Sequence, residues 1–244
     1  MKAVIIAAGQ SSRLWEKTNH RPKTLLPYKK STILSRIVRN LKKCGIEEII
    51  IVVGWRKNDI IQYVTSQGNF GIRITFVENP EWRRGNGLSV LAAEREVGDE
   101  PFILSMCDHI VPPKAIKRLI RCKRRKNLLL VDKRIEKVFD LDDATKVLVK
   151  GKRILRIGKE LEKYNGIDCG VFRLDGHFFR CMRAQAEKGL ESISAGVTAL
   201  IAEKRMGAVF IKKKKWIDID TPEAYRHALK LAAKKKLPQT VTST

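Results

Sequence analysis

The sequence predicts an α/β chain built on a doubly wound, mostly parallel Rossmann-like sheet flanked by helices, with a small β-hairpin insertion. Three observations carry that prediction. Short apolar runs alternate with segments of helical period. Several of those runs are continuously apolar, as in strands buried on both faces. The first, Met1-Lys2-Ala3-Val4-Ile5-Ile6, stops at a small-residue turn, Ala7-Ala8-Gly9. With 244 residues the chain can bury one sizeable core, so 1–236 read as a single domain and 237–244 as a flexible polar tail.

Each element has its own signal. Ile33, Leu34, Ile37, Val38 and Leu41 recur at helical spacing and Gly45 stops the run, giving a helix over 33–43. Residues 48–53 form a buried strand ended by Gly54, and strand, helix, strand implies a right-handed parallel crossover. A helix over 59–66, a strand over 72–77, a helix over 88–97 and a strand over 101–106 continue the alternation. Beyond Pro112-Pro113 the rhythm changes. A basic helix around 115–126 leads to a strand over 128–132, then to two short strands, 147–149 and 154–157, joined at Gly151-Lys152 as a hairpin. A strand over 169–174, helices over 177–187 and 193–203, and a strand over 208–211 follow. Thr221 as N-cap and Pro222 in the first turn open the last helix.

Lys and Arg number 50 against 26 acids, a net charge of +24 that must attract something anionic. Nucleic acid, phosphorylated substrates and an anionic membrane surface compete for that role. Aromatic residues are only 7%, a poor supply of stacking platforms, and no specific nucleic acid is expected. No apolar run reaches the length of a membrane span and no secretory signal opens the chain, so a cytoplasmic location is expected. Five scattered cysteines, with His20, His109, His177 and His227 showing no ligand spacing, predict neither disulfides nor a zinc site.

The chemistry begins at the first turn, which continues Gln10-Ser11-Ser12-Arg13-Leu14, with Lys23 close behind. Backbone N–H groups at such a turn favour phosphate oxygens. Arg13 offers a planar fork of donors and Lys23 a compact charge that can follow a moving phosphoryl group. The three glycines of a dinucleotide fingerprint and the Walker Gly-Lys-Ser/Thr are both missing. Asp108 follows an apolar strand, at the sheet end where open α/β folds bind ligands. Asp218 and Asp220 recur at strand alternation, and the three carboxylates would hold Mg²⁺. In Gly85-Asn86-Gly87-Leu88-Ser89 small residues would admit a flat base, a helix amino end would offer N–H groups, and Asn86 and Ser89 could touch base or ribose.

The Ala-Ala-Gly turn with Arg13 and Pro22-Lys23 resembles the sugar-phosphate nucleotidyltransferases, Ser11 standing where their pattern has a second glycine. Gly85-Asn86-Gly87-Leu88-Ser89, Ser105-Met106-Cys107-Asp108-His109, the segment Phe139 to Val147, Ile157-Gly158-Lys159-Glu160-Leu161, the segment Tyr164 to Phe172 and Trp216 to Glu223 narrow the resemblance to CTP:inositol-1-phosphate cytidylyltransferases. That resemblance implies transfer of CMP from CTP to 1L-myo-inositol 1-phosphate, giving CDP-inositol and pyrophosphate with Mg²⁺. Arg13, Lys23 and Asp108 would be catalytic. Ala7, Ala8, Gly9, Gln10, Ser11, Ser12, Arg13, Lys23, Gly85, Asn86, Gly87, Ser89 and Asp108 would bind nucleotide; Lys159, Asp168 and Gly170 the acceptor; Asp108, Asp218 and Asp220 the metal. Many relatives fuse this domain to a membrane-embedded CDP-alcohol transferase, and Lys234-Lys235-Lys236 would suit an anionic bilayer nearby. Rival readings are another phosphorylated acceptor, such as phosphocholine or a sugar 1-phosphate, or a basic nucleotide- or nucleic-acid-binding protein without turnover.

Overall fold

Alternate side chains of the first strand go to opposite faces, and that division sets the layers. A computed structural model describes residues 1–10, 12–14, 20–123, 125–212 and 216–233; Ser11, Lys234-Lys235-Lys236 and the predicted tail lie outside the described residues, and Ser12 is described by its backbone only. In chain order the strands are β1 (Ala3–Ala7), β2 (Pro27–Tyr28), β3 (Ser31–Thr32), β4 (Glu48–Val53), β5 (Arg73–Glu78), β6 (Phe102–Met106) and β7 (His109–Ile110). They continue as β8 (Asn127–Asp132), β9 (Lys146–Lys150), β10 (Arg153–Gly158), β11 (Gly166–Leu174), β12 (Met206–Phe210) and β13 (Ile217–Asp218). The helices are α1 (Ile33–Lys42), α2 (Lys57–Ser66), α3 (Asn86–Ala92), α4 (Glu94–Val97), α5 (Pro113–Arg121), α6 (His177–Ala186), α7 (Ile193–Ala202) and α8 (Pro222–Ala233).

Nine strands form one sheet in the order β5-β4-β1-β6-β11-β8-β12-β10-β9. Its first half is parallel, with Ala3 level with Ile49 of β4 and Ile103 of β6. β11 and β10 run against the other seven strands, so the sheet is mixed while most strands share one direction. The predicted hairpin is β9–β10, and it closes back on the start of β11 where Gly166 meets Val147. Ala3, Ile5 and Ala7 of β1 pack with α1, α2, α5 and α8 on one face. Val4 and Ile6 pack with α3, α6 and α7 on the other.

Most expected elements appear within a few residues of their predicted limits. The helix expected over 88–97 is broken at Ala93 into α3 and α4. The basic helix expected to reach 126 stops at Arg121, because the Arg173 guanidinium, 8% exposed, donates to the carbonyls of Leu119 at 3.3 Å and Ile120 at 2.9 Å and ends the run. Thr221 does cap the last helix, its Oγ1 accepting from Ala224 N at 3.1 Å. Phe102 is fully buried and stacks on Phe179 with centroids 5.2 Å apart, joining β6 to α6. Phe102→Ala is expected to lower unfolding free energy by about 3–5 kcal/mol in urea titrations, with the slope unchanged.

Candidate active site

Four stretches far apart in sequence converge beside the ends of β1 and β6. Arg13 rides on a short 3₁₀ turn, Ser12–Leu14, anchored by Leu14 at 1% exposure. Its guanidinium donates to Asp143 Oδ2 at 2.7 Å and to Asp220 Oδ2 at 3.0 Å. Lys23 opens a second 3₁₀ turn, Lys23–Leu25, which Thr24 ties to the end of β6 by donating to the Cys107 carbonyl at 3.2 Å. The Lys23 ammonium lies 2.5 Å from Asp108 Oδ2 and also donates to Asp220. On the far side, β7 pairs with β13 so that His109 stands opposite Asp218. His109 Nδ1 is 2.6 Å from Asp108 Oδ1 and Nε2 is 3.5 Å from Asp218 Oδ2. The Trp216 indole stacks on the imidazole at 5.6 Å and donates to Asp132 at 3.0 Å.

The result is a continuous row of alternating charges: Lys159, Asp143, Arg13, Asp220, Lys23, Asp108, His109, Asp218. Burial by itself would neutralise Lys23, yet Asp108 and Asp220 outweigh it and raise the ammonium above its ordinary range. Burial likewise works against the Asp108 carboxylate, and Lys23 and His109 reverse that effect and lower it. His109 would lose its proton to burial were it not for Asp218 and Asp108, which lift it to about 10. Asp218 is raised to about 7, by burial first, and by the neighbouring Asp108 and Asp220 against the pull of His109.

Two cavities flank this row. One, of about 300 Å³, is lined by Ala8, Gly9, Trp82, Arg84, Asn86 and Ser89 among others. The second, of about 310 Å³, is lined by Asp143, Thr145, Lys159, Asp168, Gly170 and Asp218 among others. Arg13, Lys23, Asn86, Met106, Asp108 and Asp220 line both, so the charged row is the border between two lobes of one cleft. In the second lobe β11 bulges after Asp168, and Gly170 at φ +69° presents a bare Cα to the His109 ring; a Cβ there would lie 2.3 Å from that ring. A larger neighbouring cavity, about 520 Å³, lies beyond Trp216 and shares Asp218 as a wall; its Arg134 is held by Asp132 at 2.8 Å.

The structure brings most of the predicted residues together and moves others away. Ala8, Gly9, Asn86 and Ser89 line the first lobe, Lys159, Asp168 and Gly170 the second, and Asp218 and Asp220 reach Asp108 as expected. Ala7 does not reach the cleft: strand alternation turns its methyl into the opposite apolar cluster at 4% exposure. Gln10 lines neither lobe. Gly85 and Gly87 are small for a different reason from the one expected. A Cβ at either would fall 2.3 or 2.5 Å from the Glu191 carbonyl oxygen, and that residue also takes their N–H groups, at 3.2 Å through its carboxylate and 2.8 Å through its carbonyl. The helix amino end is therefore capped by the protein and not open to a base.

Sequence reasoning missed His109, Asp143, Trp216 and Asn79, the last of which fixes Ser89 from behind at 3.0 Å. It also missed a second cluster: His177 and Cys181, one turn apart on α6, do have ligand spacing and meet Glu203, with Nε2 to Oε2 at 2.5 Å and Sγ to Oε1 at 3.6 Å. Arg180 donates to His177 Nδ1 at 2.8 Å and Arg205 lies 3.9 Å from Glu203, so the charges of that cluster are met within the chain.

The MobA-like NTP transferase domain matches residues 3–134, more than half of the chain. The chain belongs to that family. Its members transfer nucleotidyl groups, generally with a divalent metal, and the matched half holds Arg13, Lys23 and Asp108. The transferase is 35% identical over 234 residues to the bifunctional IPC transferase and DIPP synthase of Rubrobacter xylanophilus, an alignment over 92% of this chain and 50% of the relative. The like-named protein of Thermococcus kodakarensis is 30% identical over 94% of this chain and 50% of its own length. The chain thus spans about half the length of these relatives. Its fold matches the inositol-1-phosphate CTP transferase from T. maritima with a TM-score of 0.85, at 25% identity over 97% of each chain. A UDP-glucose pyrophosphorylase complexed with UDP-glucose shares the fold at a TM-score of 0.82 and 20% identity, over 96% of this chain and 99% of that one. Among the described residues no helix is long and apolar enough to cross a membrane.

Asp168 provides a test of the second lobe. Burial raises its carboxyl to about 6, opposed by the Gly170 N–H that donates to it at 2.7 Å. The folded chain then holds a proton that the unfolded chain has released, so this residue's contribution falls as pH rises from about 4 to about 6 and stays low above. Asp168→Asn keeps the acceptor oxygen and removes the charge. Its stability relative to the native chain should climb over that window and level off up to about 3 kcal/mol higher, as read from urea unfolding at a series of pH values.

Proposed function

We propose that this chain transfers CMP from CTP to inositol 1-phosphate, releasing pyrophosphate and forming CDP-inositol. The observation that carries the proposal is the two-lobed cleft bordered by a charged row, on a fold matching an inositol-1-phosphate CTP transferase over 97% of both chains. A transfer between two substrates needs two sites meeting at one reacting phosphorus, and here they meet at Arg13, Lys23, Asp108 and Asp220. The nucleotide takes the lobe of Ala8, Gly9, Asn86 and Ser89. The acceptor takes the lobe of Lys159, Asp168 and Gly170.

The acceptor phosphate is already anionic, so its oxygen attacks the α-phosphorus in line without a general base while pyrophosphate departs opposite. Lys23 sits at the border and meets the charge that grows on the α-phosphate; Arg13 faces the departing pyrophosphate; Lys159 orients the acceptor. Asp168 gives a hydrogen-bonding wall for polyol hydroxyls, and Gly170 lets the His109 ring pack against β11 beside it. Asp143, shared by Arg13 and Lys159 at 2.7 and 2.5 Å, holds both cations in place until phosphate oxygens replace it.

The residues present also fit a divalent ion. Asp218 Oδ1 is buried with no hydrogen-bond partner among the described residues, and ligand atoms of Asp108, His109 and Asp218 lie within 4.8 Å of one another. Asp108 with Asp218 and Asp220 would hold Mg²⁺, which when bound supplies neutralising charge to the triphosphate oxygens. Contact with an anionic membrane through Lys234-Lys235-Lys236 is a separate proposal, supported by the net charge; salt-sensitive co-sedimentation with anionic vesicles would support it and its absence would remove it.

Pyrophosphate release with Mg²⁺, measured for CTP, UTP, GTP and ATP against inositol 1-phosphate, glucose 1-phosphate, mannose 1-phosphate and phosphocholine, is expected to be confined to CTP with inositol 1-phosphate. Another productive pair would replace the substrate, and silence from folded protein would leave a binding protein. Lys23→Ala should lower kcat by about 10²–10³-fold, since its cation acts on developing charge. Lys159→Ala should instead act mainly on the acceptor KM, and equal effects on both constants for CTP would contradict its assignment.

A further inference from the structure

Hydrogen-bond polarity in the first lobe is fixed from the backbone outward. The Glu81 N–H, which can only donate, donates to Asn79 Oδ1 at 3.0 Å. That assigns the amide: its Nδ2 faces Ser89 Oγ at 3.0 Å and donates to it. Asn79 is 3% exposed and both of its amide atoms are engaged, which fixes the orientation of the amide, while its backbone N–H donates to the Val53 carbonyl at 2.8 Å. Ser89 Oγ is therefore an acceptor toward Asn79, and its proton is available to the cavity that Ser89 lines; no described carbonyl or carboxylate takes it. Asn86 is fixed in the same manner. Its Oδ1 accepts from Ile193 N at 2.9 Å, which turns its Nδ2 donors away from α7, and Asn86 lines the same cavity. Positions 86 and 89 are three apart on α3 and share one face.

Resting on the CTP reading above, we infer that Ser89 Oγ donating to N3 and Asn86 Nδ2 donating to O2 form a two-donor edge that selects cytosine over uracil, and that Asn79 is the positioning residue that makes Ser89 a donor. Cytosine presents two contiguous acceptors, O2 and N3. Uracil carries N–H at position 3, so Ser89 would face another donor there, and its hydroxyl proton, which no described carbonyl or carboxylate takes, would lose its partner. Ribose and phosphates are common to both nucleotides, so donors aimed at them would not discriminate. The discrimination resides in a buried asparagine that never touches the nucleotide.

The test is the ratio of kcat/KM for CTP to that for UTP, with inositol 1-phosphate as acceptor, in the native chain, Ser89→Ala and Asn79→Asp. Ser89→Ala removes the donor and should lower the ratio about tenfold, the worth of one neutral hydrogen bond. Asn79→Asp offers only acceptors, so Ser89 donates backwards and turns a lone pair to the cavity; the ratio should fall further, mostly through a gain with UTP. A native chain with no preference for CTP would remove the functional reading and this edge together. Preference for CTP with the ratio unchanged in Ser89→Ala, or with both nucleotides weakened equally, would leave the reading standing and overturn the edge. Should Asn79→Asp not fold, the ratio in Ser89→Ala decides alone.

Discussion

The molecule depends on making a desolvated ammonium tolerable. Lys23 has only 11% of its side chain exposed and sits between Asp108 and Asp220, groups 112 residues apart in sequence. Removing any one of the three from water would be prohibitive alone, and the pairing offsets that penalty only at hydrogen-bonding distance. Three elements must therefore end at one point: β6 leading to Asp108, the 3₁₀ turn carrying Lys23, and β13 leading to Asp220. The sheet order meets this demand by placing β1 beside β6, while Thr24 ties the turn to the end of β6 and the pairing of β7 with β13 draws the late segment in.

Legibility in the sequence follows the range of the interaction that decides each feature. Residues 48–53 were readable because a strand buried on both faces is apolar throughout, and α1 because its stripe repeats over three turns. Asp108 was readable because it follows an apolar strand, and Arg13 and Lys23 because they follow the small-residue turn after β1 within one loop. What escaped was set across the chain. β7 and β13 have two residues each, too few for any period, so His109 facing Asp218 left no trace. The end of α5 is decided by Arg173 on β11, and the need for glycine at 85 and 87 by the backbone of Glu191; neither partner lies near in sequence. Asp143 belongs to the long connection from β8 to β9, where composition says only that the segment is polar.

Glu191 also shows how the two lobes are kept in step. Its backbone and carboxylate close the start of α3, and Arg84, which lines the first lobe, bridges it to Glu81. Two residues later the chain enters α7, whose Ile193 N–H orients Asn86 and whose Ile193 and Ser194 line the second lobe. A shift of this one segment would disturb both lobes at once. The glycines at 85 and 87 permit that close contact because they lack a Cβ, so their smallness serves packing and only through it the site.

The net charge of +24 is not stored in the cleft. Along the row, Lys159, Arg13, Lys23 and a protonated His109 face Asp143, Asp220, Asp108 and Asp218, four cations against four carboxyls. Such a row is close to neutral and has no cation to spare for a triphosphate. In the proposed function, nucleotide phosphate oxygens would displace carboxylates from Arg13 and Lys23, and the displaced carboxylates would need a new counter-charge. Asp108, Asp218 and Asp220 would hold a divalent ion, whose charge would meet both the phosphates and those carboxylates. On that reading the pairing would tie nucleotide binding to metal binding, and the wider basic surface would draw anions toward the cleft.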